Sequence, residues 1–310
     1  MKEVLRKILL GDATIREYAT ISVDSEIRER VYLEVNNVRA DVSENQWILC
    51  LDPAVFGIWL SKKEDINLPV SGTKYKMYFN DDSEKNAGTV AVLALDMFDI
   101  IQEDDGMLIL LKLTEATSHH INFIKTLYLY QRHYKKPEQN FLKLKSFAAA
   151  YSYPRKVRLI TFKEGDHFNI FPMDLVGDIP KTNRFVLGLR HTNITLSRII
   201  QTGRIVVSEV PYQYKDVIYR LGKHHRGSIE ADTEELDFID SEIFKFPIPV
   251  WANSYKEIRI KSSKNLGSHM LLWGEEVNTK ELNPSAGHLF HIHFLHYLHQ
   301  RRRGMAIQLV

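Results

Sequence analysis

The chain has 310 residues, and 44% of them are hydrophobic, which is enough for a packed core and excludes a disordered protein. The 41 basic and 39 acidic side chains leave a net charge of only +2, so we expect neither nucleic acid nor a membrane surface as a partner. The single cysteine, Cys50, excludes a disulfide within the chain and favours a reducing compartment. The N-terminal residues lack a secretory signal pattern, and no apolar run reaches spanning length, so we expect a cytoplasmic protein.

The first half of the chain has the pattern of an antiparallel β region. Between about residues 30 and 112, short runs rich in β-branched and aromatic residues alternate with polar turn clusters. The runs are RVYLEV, QWILCL, KYKMYF, TVAVLAL and MLILLKL. Two helices are expected after them, one capped by Thr117 or Ser118 and one over residues 138–150. The sequence therefore predicts a β-rich domain that ends in two helices.

We place the domain boundary near Ala150, because the following SYPRK stretch interrupts the helical pattern with a proline. Residues 1–150 then form the first domain and residues 151–310 the second. The second domain contains strand patterns with few helices between them, which favours an antiparallel barrel over alternating strands and helices. Its strand patterns are KVRLITF, HFNIFPM, NRFVLGLR, RIVVSEV, YKEIRIKS and HMLLWGEEV. The fold class expected for the whole chain is mainly β with some helices (α+β).

The stretch HFNIFPMDLVGDIP is unusual for a strand. Asn169, Pro172 and Asp174 interrupt its apolar run, which then ends at Gly177 and Pro180. Proline lacks a ladder donor, and glycine and aspartate tolerate the bends that end strands, so turn formation explains part of the pattern. A ligand facing a loop that begins at Asn169 is the other interpretation.

The common catalytic signatures are missing: the chain has no GxGxxG after a strand, no P-loop, no GxSxG elbow and no HExxH. A local candidate remains in GLRHTNITLSRII, between a strand end and a helix start. Free backbone N–H groups and hydroxyls there could bind a phosphate, and arginine could neutralise it. The candidate residues are Arg190, His191, Thr192, Asn193 and Thr195. Alternatively, Asn193 or Thr195 only caps the helix and Arg190 is solvated.

Taken in order, the motifs from about residue 155 to 280 resemble the flavin reductase-like family of FMN-binding split β-barrels. That family runs a strand into an N-x-x-P/T-x-S loop, starts a later helix with Thr, and then has a G-D-H-x-x-x-x-G-x-V strand. The matching residues are Asn169, Pro172, Asp174, Thr195, Gly267, His269, Gly274 and Val277. The resemblance implies that residues 151–310 form an antiparallel Greek-key split barrel.

The resemblance also implies a cofactor site. The isoalloxazine ring of a non-covalently bound FMN would contact the loop after Asn169, and its phosphate would lie near Arg190 and the Thr195 helix. The implied cofactor contacts are Asn169, Ile170, Phe171, Pro172, Met173, Asp174, Arg190, His191, Thr192, Asn193, Thr195 and His225. His269 is the implied catalytic residue, close to an NAD(P)H electron donor. The expected protein is a homodimeric oxidoreductase that transfers hydride through FMN to an unknown acceptor.

Two residues depart from the family pattern. Ser268 replaces the Asp that usually precedes the histidine, and Asp174 stands where Ser or Thr is usual. A carboxylate beside a phosphate would be repulsive, so Asp174 is expected to point elsewhere or to contact the flavin ring or ribityl chain. These departures keep open a second function, a non-catalytic flavin-binding or interaction module on a degenerate barrel.

The C-terminal segment GHLFHIHFLHYLHQRRRG contains five histidines. As a strand, it would place His291 and His293 on one face; as a helix, it would bring His288, His296 and His299 together. Either arrangement could hold a metal, but no acidic residue or cysteine lies in the run to complete a ligand set. Packing in a core or interface is the expected role, and no metal site is predicted.

Overall fold

A computed structural model of the chain describes residues 2–10, 18–23, 27–62, 73–81, 88–132, 141–227, 236–283 and 287–302. The first half contains α1 (Lys2–Leu10), β1 (Tyr18–Val23), β2 (Glu29–Val35), β3 (Val38–Asp41), β4 (Gln46–Leu51), β5 (Ala54–Ser61), β6 (Lys74–Asp81), β7 (Gly88–Gln102), β8 (Gly106–Ser118), α2 (Phe123–Arg132) and α3 (Phe141–Ala150). None of the helices in these ranges has the length and apolar composition to cross a membrane.

The second half of the chain is also dominated by strands. Its elements are β9 (Arg155–Lys156), β10 (Arg158–Glu164), β11 (His167–Met173), β12 (Val176–Asp178), β13 (Arg184–Arg190), α4 (Leu196–Thr202), β14 (Arg204–Glu209), α5 (Lys215–Arg220), β15 (Phe238–Asp240), β16 (Pro247–Pro249), β17 (Ser254–Asn265), β18 (His269–Glu281), β19 (His288–His293) and α6 (Phe294–Arg302). Two short 3-10 helices, Tyr212–Tyr214 and Leu221–His225, flank α5. The expectation of a mainly β protein with some helices is confirmed.

Two seven-stranded antiparallel sheets form the framework. The first has the order β3-β2-β6-β7-β8-β5-β4 and the second the order β11-β10-β14-β17-β18-β13-β12. The pairing of β17 with β18 has two bulges, one at Val277 of β18 and one at Lys261 of β17, and such bulges bend a sheet. The strand pairings of the described residues give an open order with β11 and β12 at its edges, so closure into a split barrel stays a prediction.

The two halves share one hydrophobic core. Phe56 and Ile109 of the first sheet belong to the same buried cluster as Phe171 and Leu187 of the second. Burial of such apolar surface is the main favourable term in folding, so each sheet stabilises the other. A small sheet of order β1-β19-β9 also joins the two ends of the chain. The division at Ala150 stays a prediction, and the core is continuous across it.

Arg155 is a second link between the halves. Its guanidinium is buried and donates hydrogen bonds to the carbonyl of Ala150 and to the backbone and side-chain carbonyls of Gln46, at 2.7 to 3.1 Å. Burial lowers the pKa of Arg155 to about 10. Full hydrogen bonding is what makes a buried charge tolerable, so this arginine holds β4 against the segment after α3.

Several details of the secondary structure differ from the sequence expectation. Thr117 and Ser118 do not cap a helix, because β8 continues to Ser118. Instead the side chain of Asn122 accepts the N–H of Lys125 at 3.0 Å and caps α2. In the first half of the chain, the strands β1, β3 and β5 were not predicted. The sequence of β5, AVFGIWLS, is buried almost throughout and therefore lacks the alternation that marks a half-buried strand.

Gly188 is required where the two sheets meet. A Cβ atom at this position would lie 2.0 Å from the carbonyl oxygen of Leu49, which is backbone and cannot turn away. We expect Gly188→Ala to lower the free energy of unfolding by about 3 kcal/mol, as overpacking of a core does. Urea unfolding of this variant and of Gly227→Ala would check it, because a Cβ at Gly227 meets nothing nearer than 3.8 Å. Equal stability of the two variants would contradict the close approach.

Candidate functional site

A cavity of about 460 Å³ lies between the end of β4, the end of β11, the segment after β13 and the second 3-10 helix. Its size is within the range of about 300–1,000 Å³ typical of small-molecule and cofactor sites. Eight of the residues selected from the sequence line it: Pro172, Met173, Asp174, Arg190, Thr192, Asn193, His225 and His269. The remaining lining residues are Leu51, Tyr151, Leu175, Gly222, Lys223, Arg226 and His291. Residues far apart in the sequence therefore meet in one place.

Asn169 does not begin a loop, contrary to the sequence expectation. It lies inside β11, and the chain leaves the strand only after Met173. Its buried side chain donates hydrogen bonds to the Thr195 hydroxyl at 2.5 Å and to the His224 carbonyl at 3.0 Å. The strand and the start of the next helix are thus close together, but they are joined by their own side chains.

Four other selected residues also lie outside the cavity lining. Ile170 and Phe171 are fully buried in the core, and Thr195 is buried beneath them with its N–H donating to the Asn193 side chain at 2.8 Å. His191 is exposed and bonds Asn265 at 3.1 Å. The Thr195 amide was expected to bind a phosphate. In the structure this N–H already donates to the Asn193 side chain. The Asn193 side chain forms a local turn before α4, and the N-cap residue Thr195 makes no side-chain cap hydrogen bond.

His225 is held as a neutral ring by its two partners. Its Nε2 lies 2.9 Å from the Pro172 carbonyl, so Nε2 carries the proton and donates it. Nδ1 then accepts a hydrogen bond from the Asn193 side-chain amide at 3.0 Å. Burial lowers the pKa of His225, which agrees with an uncharged imidazole. The ring also packs against Phe171, with 4.8 Å between centroids. His225 therefore fixes the backbone at the end of β11.

The cavity has a cationic side. Arg190 ends β13 and Arg226 follows the second 3-10 helix, and both side chains line the cavity. Neither forms an ion pair with any of the residues that the structure describes. Thr192 adds a hydroxyl group to the same lining. Two arginines without carboxylate partners and a neighbouring hydroxyl are a donor set suited to a phosphate or carboxylate.

Asp174 points toward a group of aromatic residues. Its Oδ2 accepts hydrogen bonds from the Tyr151 hydroxyl at 2.9 Å and from His291 Nδ1 at 2.8 Å, and His291 Nε2 contacts the Tyr219 hydroxyl. Burial alone would raise the pKa of Asp174, but the contacts with His291 and Tyr151 outweigh it and hold that pKa below its ordinary value. The carboxylate is therefore charged, and its hydrogen bonds go to Tyr151 and His291.

His269 is almost fully buried at the start of β18 and lines the cavity. Its Nδ1 contacts the Ser268 hydroxyl at 2.8 Å and the Leu51 N–H at 3.5 Å. Burial and the nearby charge of Arg190 lower its pKa to about 3. A neutral imidazole at this place can donate or accept a hydrogen bond without adding charge to the cavity.

The C-terminal histidines are divided between a strand and a helix. His291 contacts Asp174, whereas His293 accepts the N–H of Leu295 at 3.1 Å at the start of α6. His296 and His299 pack around His120, with ring centroids 5.8 to 6.2 Å apart. Across the described ranges, no three His, Cys, Asp or Glu side chains are grouped so that they could hold a metal.

A second cavity, of about 490 Å³, shares Asp174 with the first. It is lined by several cations, but two of them already have carboxylate partners: Arg158 pairs with Asp178 and Glu209, and Lys156 pairs with Glu209. Paired charges have less to gain from an added anion. The cavity next to Arg190 is therefore the better candidate for an anionic ligand.

Sequence reasoning missed several lining residues of the candidate site. Leu51, Tyr151 and His291 come from β4, from the segment after α3 and from β19, all outside the stretch that resembles the family. The HIH alternation had drawn attention to His291, although as a metal ligand. No local pattern marks Leu51 or Tyr151, because their place depends on the packing of the two halves.

No family model and no curated protein matches this chain. Among solved structures, the Streptomyces globisporus C-1027 NADH:FAD oxidoreductase SgcE6 is similar at 14% identity with a TM-score of 0.44, over 50% of this chain and 94% of that one. An FMN-binding protein from Thermus thermophilus with bound 1-cyclohex-2-enone is similar at 19% identity with a TM-score of 0.39, over 47% and 77%. Nitrilotriacetate monooxygenase component B from Mycobacterium thermoresistibile is similar at 14% identity with a TM-score of 0.42, over 47% and 80%. At such low identities and TM-scores, the function has to be argued from the chain's own site.

Proposed function

We propose that the chain is a flavin-binding oxidoreductase that holds FMN without a covalent link and uses NAD(P)H as the electron donor. One observation carries the proposal. Residues selected separately on a strand end, a helix start and a late strand come together around one cavity. That cavity offers an unpaired cationic side among the described residues and an apolar wall, which are the two environments that a flavin mononucleotide needs.

The lining residues fit the parts of FMN. Arg190, Arg226 and Thr192 would bind the phosphate through charge-assisted hydrogen bonds. Pro172 and Met173 belong to the apolar wall that would lie along the ring. When bound, the flavin supplies the hydride chemistry, while the protein orients it and limits access of water. The first half of the chain takes part in this, because Leu51 at the end of β4 also lines the cavity.

The absorbance of the purified protein is the direct test of this proposal. We expect a yellow protein, or a colourless one that becomes yellow when loaded with FMN, and bleaching of the flavin bands when NADH or NADPH is added without oxygen. A protein that cannot be loaded with FMN at any tested concentration would contradict flavin binding. A loaded protein that ignores both nicotinamides would contradict the electron-transfer part alone.

A non-catalytic flavin-binding module is the second candidate function. The observation that favours it is the direct bond between Asn169 and Thr195, which removes two of the polar groups expected to contact the cofactor. Ser268 in place of the usual Asp favours it as well. The same absorbance experiment distinguishes this candidate, since a binding module stays yellow in the presence of either nicotinamide.

A further inference from the structure

Ser268 connects the late histidine motif with the first half of the chain. Its hydroxyl oxygen accepts the N–H of Asp52 at 3.0 Å, and its own N–H donates to the Asp52 carbonyl at 2.7 Å. Gly267 makes this approach possible. It has a φ of 120°, and a Cβ there would lie 2.5 Å from Pro53 and 2.6 Å from the Asp52 carbonyl. The loop between β4 and β5 therefore packs directly behind His269.

The hydrogen bonds around His269 fix which ring nitrogen carries the proton. The Ser268 oxygen accepts the Asp52 N–H at 3.0 Å, and its O–H can donate to His269 Nδ1, which lies 2.8 Å away. The N–H of Leu51 also points at Nδ1, at 3.5 Å, and a backbone N–H can only donate. The backbone N–H is the obligate donor that makes Nδ1 the acceptor; the Ser268 O–H is then the closest side-chain donor to Nδ1, and the Cys50 thiol lies farther from it, at 3.7 Å. The proton of a neutral His269 is therefore on Nε2.

Nε2 is the nitrogen left for a ligand. His269 lines the cavity and is 2% exposed, and Nε2 makes no hydrogen bond with any residue in the described ranges. We propose that Ser268 is a positioning residue: held by the loop between β4 and β5, it keeps His269 as an Nε2–H donor aimed at a hydrogen-bond acceptor of the ligand, such as a carbonyl oxygen. The identity of that ligand rests on the proposed function, whereas the orientation of His269 does not.

The charges around His269 agree with a neutral ring. Burial is the largest cause that lowers the pKa of His269 to about 3; Arg190, His191 and Lys143 lower it further, and only Asp174 raises it. Position 268 is also where the resembling family has Asp. A carboxylate there would accept a hydrogen bond from Nδ1–H and would stabilise an imidazolium. Serine instead donates, so this chain has a neutral donor at a place where the family pattern favours a charged one.

Two-bond ¹H–¹⁵N spectra of the full chain labelled with ¹⁵N-histidine test the proposal. The signals of His269 are assigned by their loss in His269→Asn. We expect a single Nε2–H tautomer for the unmodified protein from pH 6 to pH 8. Ser268→Ala should show both tautomers, Ser268→Thr should restore the single one, and Ser268→Asp should show an imidazolium at neutral pH. Ser263→Ala removes an exposed hydroxyl on β17 and should change nothing.

Several outcomes would overturn the assignment. A proton on Nδ1 in the unmodified chain would overturn it, and so would a Ser268→Ala spectrum identical to the unmodified one. The flavin proposal fails separately: a chain that shows the single tautomer but never binds FMN leaves Ser268 as the positioning residue of a different ligand. If FMN binds and the Nε2–H signal does not shift, the tautomer assignment stands, but the proposed hydrogen bond from Nε2 to the ligand is contradicted.

Discussion

Between pH 7 and pH 5 the free energy of unfolding is expected to fall by about 4 kcal/mol, because His293 and His269 are buried as neutral rings. Burial lowers the pKa of each to about 3, against an ordinary value of 6.5. The unfolded chain therefore binds protons that the folded chain rejects. Stability is complete above pH 6.5 and is lost as the pH falls toward 3, at about 2 kcal/mol for each histidine by pH 5.

The other buried groups do not reverse this direction. Burial also lowers the pKa of His120, so it adds to the loss. The paired carboxylates Asp178 and Glu209 have lowered pKa values as well, but their ordinary values of 3.8 and 4.5 put most of their effect below pH 5. Acid should therefore destabilise the protein first through histidine.

Urea unfolding at several pH values measures this effect, and His293→Asn is the matched variant. Asparagine can still accept the Leu295 N–H at the start of α6, but it does not titrate. We expect the loss between pH 7 and pH 5 to be smaller by about 2 kcal/mol in this variant. An unchanged pH dependence would show that His293 is protonated in the folded protein.

Replacing both Arg190 and Arg226 with alanine is expected to weaken FMN binding about 100-fold. Each arginine lines the cavity without an ion pair to any described residue, and a charge-assisted hydrogen bond contributes about 1.5 kcal/mol. Two such contacts amount to about 3 kcal/mol, or two factors of ten in affinity. Riboflavin has the same ring but no phosphate, so its affinity should stay nearly unchanged. Titration of flavin fluorescence with both ligands gives the comparison.

Arg198→Ala is the control for this experiment. Arg198 is on α4, pairs with Glu164 at 3.0 Å and does not line the cavity, so its loss should leave both affinities as they were. If the double variant binds FMN and riboflavin equally more weakly, the arginines contact the flavin ring or stabilise the fold, and they do not bind the phosphate. If the double variant binds both flavins as tightly as the unmodified protein, the phosphate does not bind at these arginines.

The sequence predicted those parts of the structure that depend on local pattern. Alternation of apolar and polar residues identified β2, β6 and the hairpin strands of the second sheet, because one face of each is buried and the other is not. The same rule failed for β5, which is buried on both faces. It also failed at Thr117 and Ser118, where β8 extends further than its apolar run because it pairs with β7.

The sequence also selected part of the candidate site. The polar residue Asn169, selected because it interrupts a strand pattern, donates to the Thr195 hydroxyl, since a buried amide must be bonded and this acceptor is internal. Pro172, Arg190, His225 and His269 were selected on separate motifs and do share a cavity. Their cofactor roles remain predictions.

The sequence by itself determined the composition of the strands, the fold class and the order of the weak motifs, because these depend on residues that are neighbours along the chain. Only the tertiary structure decided that Asp174 bonds His291, 117 positions away, and that the loop after β4 packs behind His269. Such contacts arise when two sheets bury a common apolar surface, and local periodicity records which residues face that surface but not what they meet there.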